Sequence, residues 1–320
     1  MKSFTIGKND AGQRADKFVR KTVPNLPDAL LYKYMRLKRI KLNRKKCEIS
    51  TRLKEGDVMD MYINDEFFEQ KFDRYDFMHA STNLSIIYED ENIMLCDKKV
   101  GLLSHPDDTE YTDTLLTRIK RYLFEKGEYN PKDENSFAPA LVNRIDRNTG
   151  GIVIAAKNAN ALRILNQKLK DRELRKFYLL VVHGVLKQKD GILHGWLTKD
   201  EKKNLVKVFT KEVPSSKEIK TKYKVLNENK NMSLVEVELL TGRTHQIRAH
   251  FASIGHPLIG DGKYGRNNLN KELGYKKQFL YSYRLQFDFK TDAGELNYLN
   301  GRSFSVPKVW FKEAFLNDEL

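Results

Sequence analysis

The chain has 320 residues, 40% hydrophobic and 11% aromatic, which is enough to bury a sizeable core in one or two domains and too much for a disordered chain. Its 58 Lys and Arg against 43 Asp and Glu give a formal net charge of +15, which favours a polyanionic partner, nucleic acid ahead of an anionic membrane surface. Cys47 and Cys96 stand far apart with no Cys or His at metal-ligand spacing, so neither a disulfide framework nor a metal site is expected. The opening MKSFTIGKND lacks the apolar stretch of a secretory signal, and no run approaches the about 20 apolar residues of a membrane span, so a reducing, cytoplasmic location is expected.

In chain order, AGQRADKFVRKTVP predicts a short helix that stops before Pro24. PDALLYKYMRLKR predicts a second, with Pro27 at its start and Leu30, Leu31, Tyr34, Met35 and Leu37 on an apolar side. IKLN, CEI and RLKEGDVMDMYI follow as short strands, with Gly56-Asp57 as a turn. Residues 1–63 therefore predict a small α/β unit. Its charge is clustered: Lys33, Arg36, Lys38, Arg39, Lys41, Arg44, Lys45 and Lys46 fall within fifteen positions that hold no acidic residue. Such a run is often a solvated helix face; in a basic protein it favours phosphate contact. Residues 64–83, NDEFFEQKFDRYDFMHASTN, have no clear period and predict a linker packed partly on its neighbours.

The larger domain is expected over residues 84–320. LSIIYEDENIMLCDKK predicts two strands around an acidic turn, and DTLLTRIKRYLFEKG a helix. LVNRID and GIVIAAK predict strand, turn, strand; NANALRILNQKLKD predicts an amphipathic helix with Leu162, Leu165 and Leu169 inward. LRKFYLLVVHG, KYKVLNENKNMSLVEVELL and QFLYSYRLQFDF add strands. The pattern predicts an α+β domain, a mostly antiparallel or mixed sheet with flanking helices.

RIDRNTGG places Asp146 between arginines, at the end of one predicted strand and beside a loop. Nearby positive charge keeps such a carboxylate ionised, which suits a nucleophile or charge stabiliser; an Arg–Asp pair that merely pins a turn fits the same residues. In LLTGRTHQIRAHFASIGHPLIGDGKYG, Thr241-Gly242 breaks a strand and Arg243 falls at the junction with a helix carrying Ile247, Phe251 and Ile254 on one side. His245 and His250 are five apart, not the four of a helical zinc pair, and read as hydrogen-bonded scaffold. Tyr178, in LRKFYLLVVHG, is one tyrosine of 15 and on its own reads as core.

NRIDRNTGGIVIAAKN resembles the catalytic motif of the RluA-type pseudouridine synthases. RKFYLLVVHG and LLTGRTHQIRAHFASIGHPLIGDGKYG resemble the family's next two motifs in order, YEDENIMLCDKKVGLLSHP its opening strands and QFLYSYRLQF a later one. The likeness spans roughly residues 84 to 290, and the N-terminal unit resembles a small RNA-binding domain shared with a ribosomal small-subunit protein. Asn143 stands where the family often has histidine, Gly150 where it has serine, Lys99 where it has proline and Tyr281-Ser282 where it has His-Ala. These departures point to a subgroup.

The resemblance implies a pseudouridine synthase fold and an enzyme that isomerises uridine to pseudouridine in RNA. It assigns Asp146 as the catalytic aspartate, Tyr178 as the aromatic against the target base, Arg243 as the arginine paired with Asp146, and Arg144 as a residue that holds the RNA after the base leaves its stack. The reaction detaches the base, turns it and rejoins it through carbon 5, with no net redox change, so no cofactor is expected. The carboxylate serves as a nucleophile or forms and stabilises a glycal-like intermediate. A base inside a helix is unreachable, so it must be flipped out. The expected partner is ribosomal RNA of the large subunit, with tRNA the alternative, and the expected state is a monomer. A non-catalytic RNA-binding protein on the same scaffold is the competing class. An aspartate-dependent glycosidase would need a second carboxylate, which RIDRNTGG does not offer.

Overall fold

The computed structural model describes residues 1–69 and 74–320, and the chain forms two compact units. One comprises Met1–Asn83, His105–Ala140 and Ala156–Arg163, the other Leu84–Ser104, Leu141–Ala155 and Ile164–Leu320.

The first unit opens with β1 (Lys2–Thr5), α1 (Ala15–Thr22), α2 (Asp28–Arg36), β2 (Ile40–Leu42), β3 (Lys45–Lys46) and β4 (Val58–Met61). The strands form an antiparallel sheet in the order β1-β4-β2-β3. Phe18, Val19, Leu31, Met35, Ile40, Met59 and Met61 make its core, so both helices bury one apolar stripe. Leu37, expected on that stripe, is exposed, because α2 ends one residue before it. Strand β1 is not apparent in the sequence; CEI, expected as a strand, is irregular.

One boundary differs from the expectation. This unit does not end at residue 63, because it recruits later chain. Asn9 donates to Glu134 at 2.6 Å, Gln13 to Ser136 at 2.8 Å, Asn135 to Asp10 at 2.7 Å, and Arg163 to the Ala11 carbonyl at 2.7 Å. Polar loop residues and Arg163 on the polar side of a later helix carry these contacts, so no sequence pattern announced them. The expected linker, residues 64–83, includes 70–73, which lie outside the described residues; the remainder holds single turns at Asp65–Phe68 and Asp76–His79, with Phe67 and Phe68 packed on the core and Phe77 buried.

Next come β5 (Ile86–Glu89), β6 (Ile93–Lys98), α3 (Leu115–Glu125), β7 (Ala140–Leu141), β8 (Gly150–Ala156), α4 (Ala159–Lys170), β9 (Leu174–His183), β10 (Asp190–Asp200), β11 (Leu205–Phe209), β12 (Lys217–Glu228) and β13 (Met232–Leu239). They are followed by α5 (Gln246–Ser253), α6 (Asn267–Glu272), β14 (Leu280–Phe287), β15 (Ser303–Ser305) and α7 (Lys312–Leu316). Helix α3 starts at Thr114, whose side chain accepts from the Thr117 amide while Thr117 caps it in return. The strands join in an eleven-stranded mixed sheet, β11-β10-β12-β13-β9-β14-β8-β6-β5, with β15 on β14 and β7 on β8. The α+β expectation holds, although β10 and β11 were not foreseen.

β14 is antiparallel to β9 and parallel to β8, pairing Tyr281 with Gly150 and Ser282 with Gly151. A Cβ on Gly150 would stand 2.4 Å from the Tyr281 ring, and one on Gly151 2.1 Å from the Ser282 carbonyl. At Gly151 the obstacle is backbone and φ is positive, so only glycine fits, whereas at Gly150 the Tyr281 ring would have to shift. The Tyr281 ring therefore occupies the place a side chain at position 150 would need. The Tyr281 hydroxyl donates to Asp97 on β6 at 2.7 Å.

Candidate active site

Asp146 lies between β7 and β8, at the start of the turn that leads into the buried run of β8. Its loop is braced from below. Ser104 donates to the Ile145 carbonyl at 3.0 Å, and the Gly101 amide to the Arg147 carbonyl at 2.8 Å. The fully buried Lys98 ammonium donates to the carbonyls of Leu102, Lys99 and Arg147 at 2.6, 3.1 and 3.2 Å. Burial pushes its pKa down to about 7, with Asp146 and Asp97 acting the other way. Sequence reading missed Lys98, since one lysine in a strand carries no periodic signal. Asn143, another departure from the family pattern, accepts from the Ile154 amide at 2.8 Å and ties the loop to β8.

The arginine that holds Asp146 is Arg248, on α5, at 2.9 Å from Oδ2. The pairing expected for Arg243 is therefore corrected. Arg248 also forks onto Asp261, through Nε at 2.7 Å and Nη2 at 2.9 Å. Burial works against both charges, yet the two carboxylates hold Arg248 charged, and Arg248 with the Lys263 and Tyr264 amides holds Asp261 below the usual carboxylate range. Helical spacing explains the correction. Gln246–Ser253 is the helix, so Arg248 projects from its buried first turn, whereas Arg243 precedes it and is exposed. Gln246 fixes that junction, accepting from the Arg243 amide and from Thr241 while donating to the Lys220 carbonyl.

His245 has positive φ at the helix start, with Nδ1 at 2.9 Å from the Tyr264 hydroxyl and Nε2 at 3.8 Å from Asp146. Burial holds its imidazole below the ordinary range in spite of Asp146. The histidine expected to be scaffold thus faces the carboxylate.

A cavity of about 290 Å³ joins these groups, lined among others by Arg144, Asp146, Tyr178, Arg243, His245 and Arg248. Tyr178 is buried on β9 beside Ser282, and burial pushes its phenol up to about 12, so it is protonated near neutral pH. A protonated phenol is a poor base, which favours a stacking role. Arg144 is exposed at the cavity wall. The Asp146 carboxylate and the Tyr178 ring thus line one space. Among the described residues, no group of three His, Cys, Asp or Glu is placed to hold a metal, and no helix is long and apolar enough to cross a membrane.

The RNA pseudouridylate synthase family model matches residues 92–253, which contain the Asp146 loop, Tyr178 and Arg248. This chain belongs to that family. An uncharacterized RNA pseudouridine synthase of Mycoplasma genitalium is 34% identical over 89% of this chain and 88% of its own length. The ribosomal large subunit pseudouridine synthase C of Vibrio parahaemolyticus is 28% identical over 88% and 87%. The solved structure of human RNA pseudouridylate synthase domain containing 1 covers 71% of this chain and 85% of its own, with TM-score 0.55 at 21% identity, and shows the shared fold. The chain is an RNA pseudouridine synthase of the RluA type, and RNA is its substrate.

The eight clustered basic residues of the first unit fall on three elements and the turns between them. Lys33 and Arg36 lie in the last turn of α2, Lys41 on β2, Lys45 and Lys46 on β3, and Lys38, Arg39 and Arg44 in the turns between. All but Lys41 are exposed. Lys46 pairs with Glu48 at 2.6 Å, Arg39 lies 5.1 Å from the Tyr34 ring, and Lys41 lies 5.2 Å from that of Tyr62.

Proposed function

We propose that this enzyme isomerises specific uridines of large-subunit ribosomal RNA, acting in the cytoplasm on a uridine flipped out of its stack. The observation that carries the catalytic assignment is the Asp146 carboxylate, held at 2.9 Å by Arg248 on the wall of a cavity that also holds Tyr178. The relative named a ribosomal large subunit pseudouridine synthase supports the RNA class.

In this reading the base enters the cavity and lies against Tyr178. Asp146 faces the sugar and acts at the glycosidic bond. The bond from N1 to the sugar breaks, the base turns within the cavity, and carbon 5 bonds to the same sugar carbon and then loses its proton. Arg248 keeps Asp146 oriented through its hydrogen bond at 2.9 Å. Arg144 holds the RNA strand from which the base has left, and Arg243, freed from the pairing first expected of it, contributes positive charge at the mouth.

Pseudouridine mapping of ribosomal RNA and tRNA, from cells with and without this gene, tests the reading. A large-subunit site that disappears with the gene and returns with wild-type protein supports it. Loss of a tRNA site alone overturns the ribosomal assignment. Asp146→Asn should fail to restore the site, with single-turnover rates at least about 10³-fold below wild type and RNA binding largely kept.

A further inference from the structure

A second cavity, of about 480 Å³, shares a wall with the first: Leu169, Lys176, Leu239, Gly242 and Arg243 line both. Its lining is one-sided in charge. Lys170, Arg172, Arg175, Lys176, Lys220 and Arg243 face a single carboxylate, Glu238. Glu238 is already engaged, by Arg175 at 2.6 Å and Lys222 at 3.6 Å, and Lys220 is paired with Glu218 at 2.8 Å. Among the described residues, the side chains of Lys170, Arg172, Lys176 and Arg243 have no hydrogen-bond or ion-pair partner.

Lys176 matters most, because it stands on the shared wall. Its ammonium lies 3.7 Å from where a Cβ on Gly242 would be, and the missing side chain leaves it open. Burial pushes its pKa down to about 8, and no carboxylate offsets that cost. A partly buried ammonium without a counterion is less favourable than one whose anion is supplied by a ligand. The neighbouring cavity suits a nucleoside, and every nucleoside in RNA carries phosphates on its own sugar.

We propose that the second cavity is a phosphodiester subsite, taking the backbone phosphate next to the extruded uridine, with Lys176 as its central contact and Arg172 and Arg243 at its sides. The proposal rests on the reading of the first cavity as the uridine site. Lys176 is a positioning residue: by holding the phosphate it sets the sugar against Asp146. The cation lies between the two cavities, so charge captured in one fixes the ring placed in the other.

The test uses full-length protein and a short single-stranded oligouridylate as the probe, with affinity measured at several salt concentrations. Lys176→Met should weaken binding about tenfold and reduce the salt slope by about 0.7, the share of one phosphate on a single strand. Lys176→Arg should restore most of both. On RNA from cells lacking the gene, Lys176→Met should raise KM by more than it lowers kcat. Arg172→Asn, at an exposed position of positive φ that asparagine tolerates, reads the same cavity should Lys176→Met fail to fold. Unchanged affinity and slope in either folded variant would overturn the subsite, as would wild-type protein that does not bind the oligouridylate. Wild-type pseudouridine formation is scored separately. Its absence with the salt effect intact would remove the uridine reading and leave an anion site; its presence without the salt effect would remove only the subsite.

Discussion

Arg248 joins two carboxylates of unequal exposure: Asp261 is fully buried, while Asp146 opens to the cavity. Replacing Arg248 with Met would strand Asp261 without a counter-charge, a loss of about 3–5 kcal/mol by the usual magnitude for broken buried pairs. Denaturant unfolding should record it, and activity should fall with it. Arg243→Met, at an exposed position, should change stability by less than about 0.5 kcal/mol. A reversed order of the two variants would contradict the pairing. At this scale the sequence was legible in part. RIDRNTGG marked Asp146 because a carboxylate, two arginines and a Gly-Gly turn lie within eight positions. The identity of its arginine was not legible, because Arg243 and Arg248 occupy one motif and only the true start of α5 decides which turns inward.

The elements meet at joints that substitutions can test. The Tyr281 ring fills the place a side chain on Gly150 would need, so Gly150→Ser should overpack the β8–β14 joint and cost about 1–3 kcal/mol. In a Tyr281→His background the same change should cost less, and equal costs in the two thermal-unfolding series would deny the coupling. A second joint ties the end of α4 to the start of β9. Burial opposes ionisation of Glu173, yet Lys168 at 2.8 Å, the Lys290 amide and the Thr291 hydroxyl hold its pKa down to about 2. An unfolded glutamate titrates near about 4.3. The depressed folded value means that this stabilisation is complete above about pH 4.3 and is lost as pH falls through about 2. Glu173→Gln should therefore be less stable than wild type near neutrality, with the gap closing over that acid window; a gap independent of pH would exclude the carboxylate. Both joints were hidden in the sequence. Apolar pattern revealed α1 to α4, which bury one face, and the apolar runs of β9 and β14, but strand pairing between residues as distant as Gly150 and Tyr281 leaves no local mark.

Over the whole chain, which carries a net charge of +15, the segment from Lys33 to Lys46 is a local run of eight basic residues with no acidic one, and seven of the eight are exposed. Reversing Arg36, Lys38 and Arg39 to Glu should weaken RNA affinity and flatten its dependence on salt, since each neutralised phosphate contributes about 0.7–0.9 to the slope. Turnover at saturating RNA should persist, because Asp146, Tyr178 and Arg248 are untouched. An unchanged slope in the folded variant would leave this face a solvated surface. Deleting residues 1–63 is a poorer test than the sequence suggested, because it would strip Glu134, Asn135 and Ser136 of their partners. The sheet order adds a consequence for biogenesis. β14 is the strand between β9 and β8, so until residues 280–287 are synthesised, the half built on β6 and β8 and the half built from β9 to β13 each expose an unpaired edge. The nascent protein must keep those two edges from pairing with other chains while the joining strand is still inside the ribosome, and a chain truncated before residue 280 should be an aggregating fragment, not a smaller enzyme.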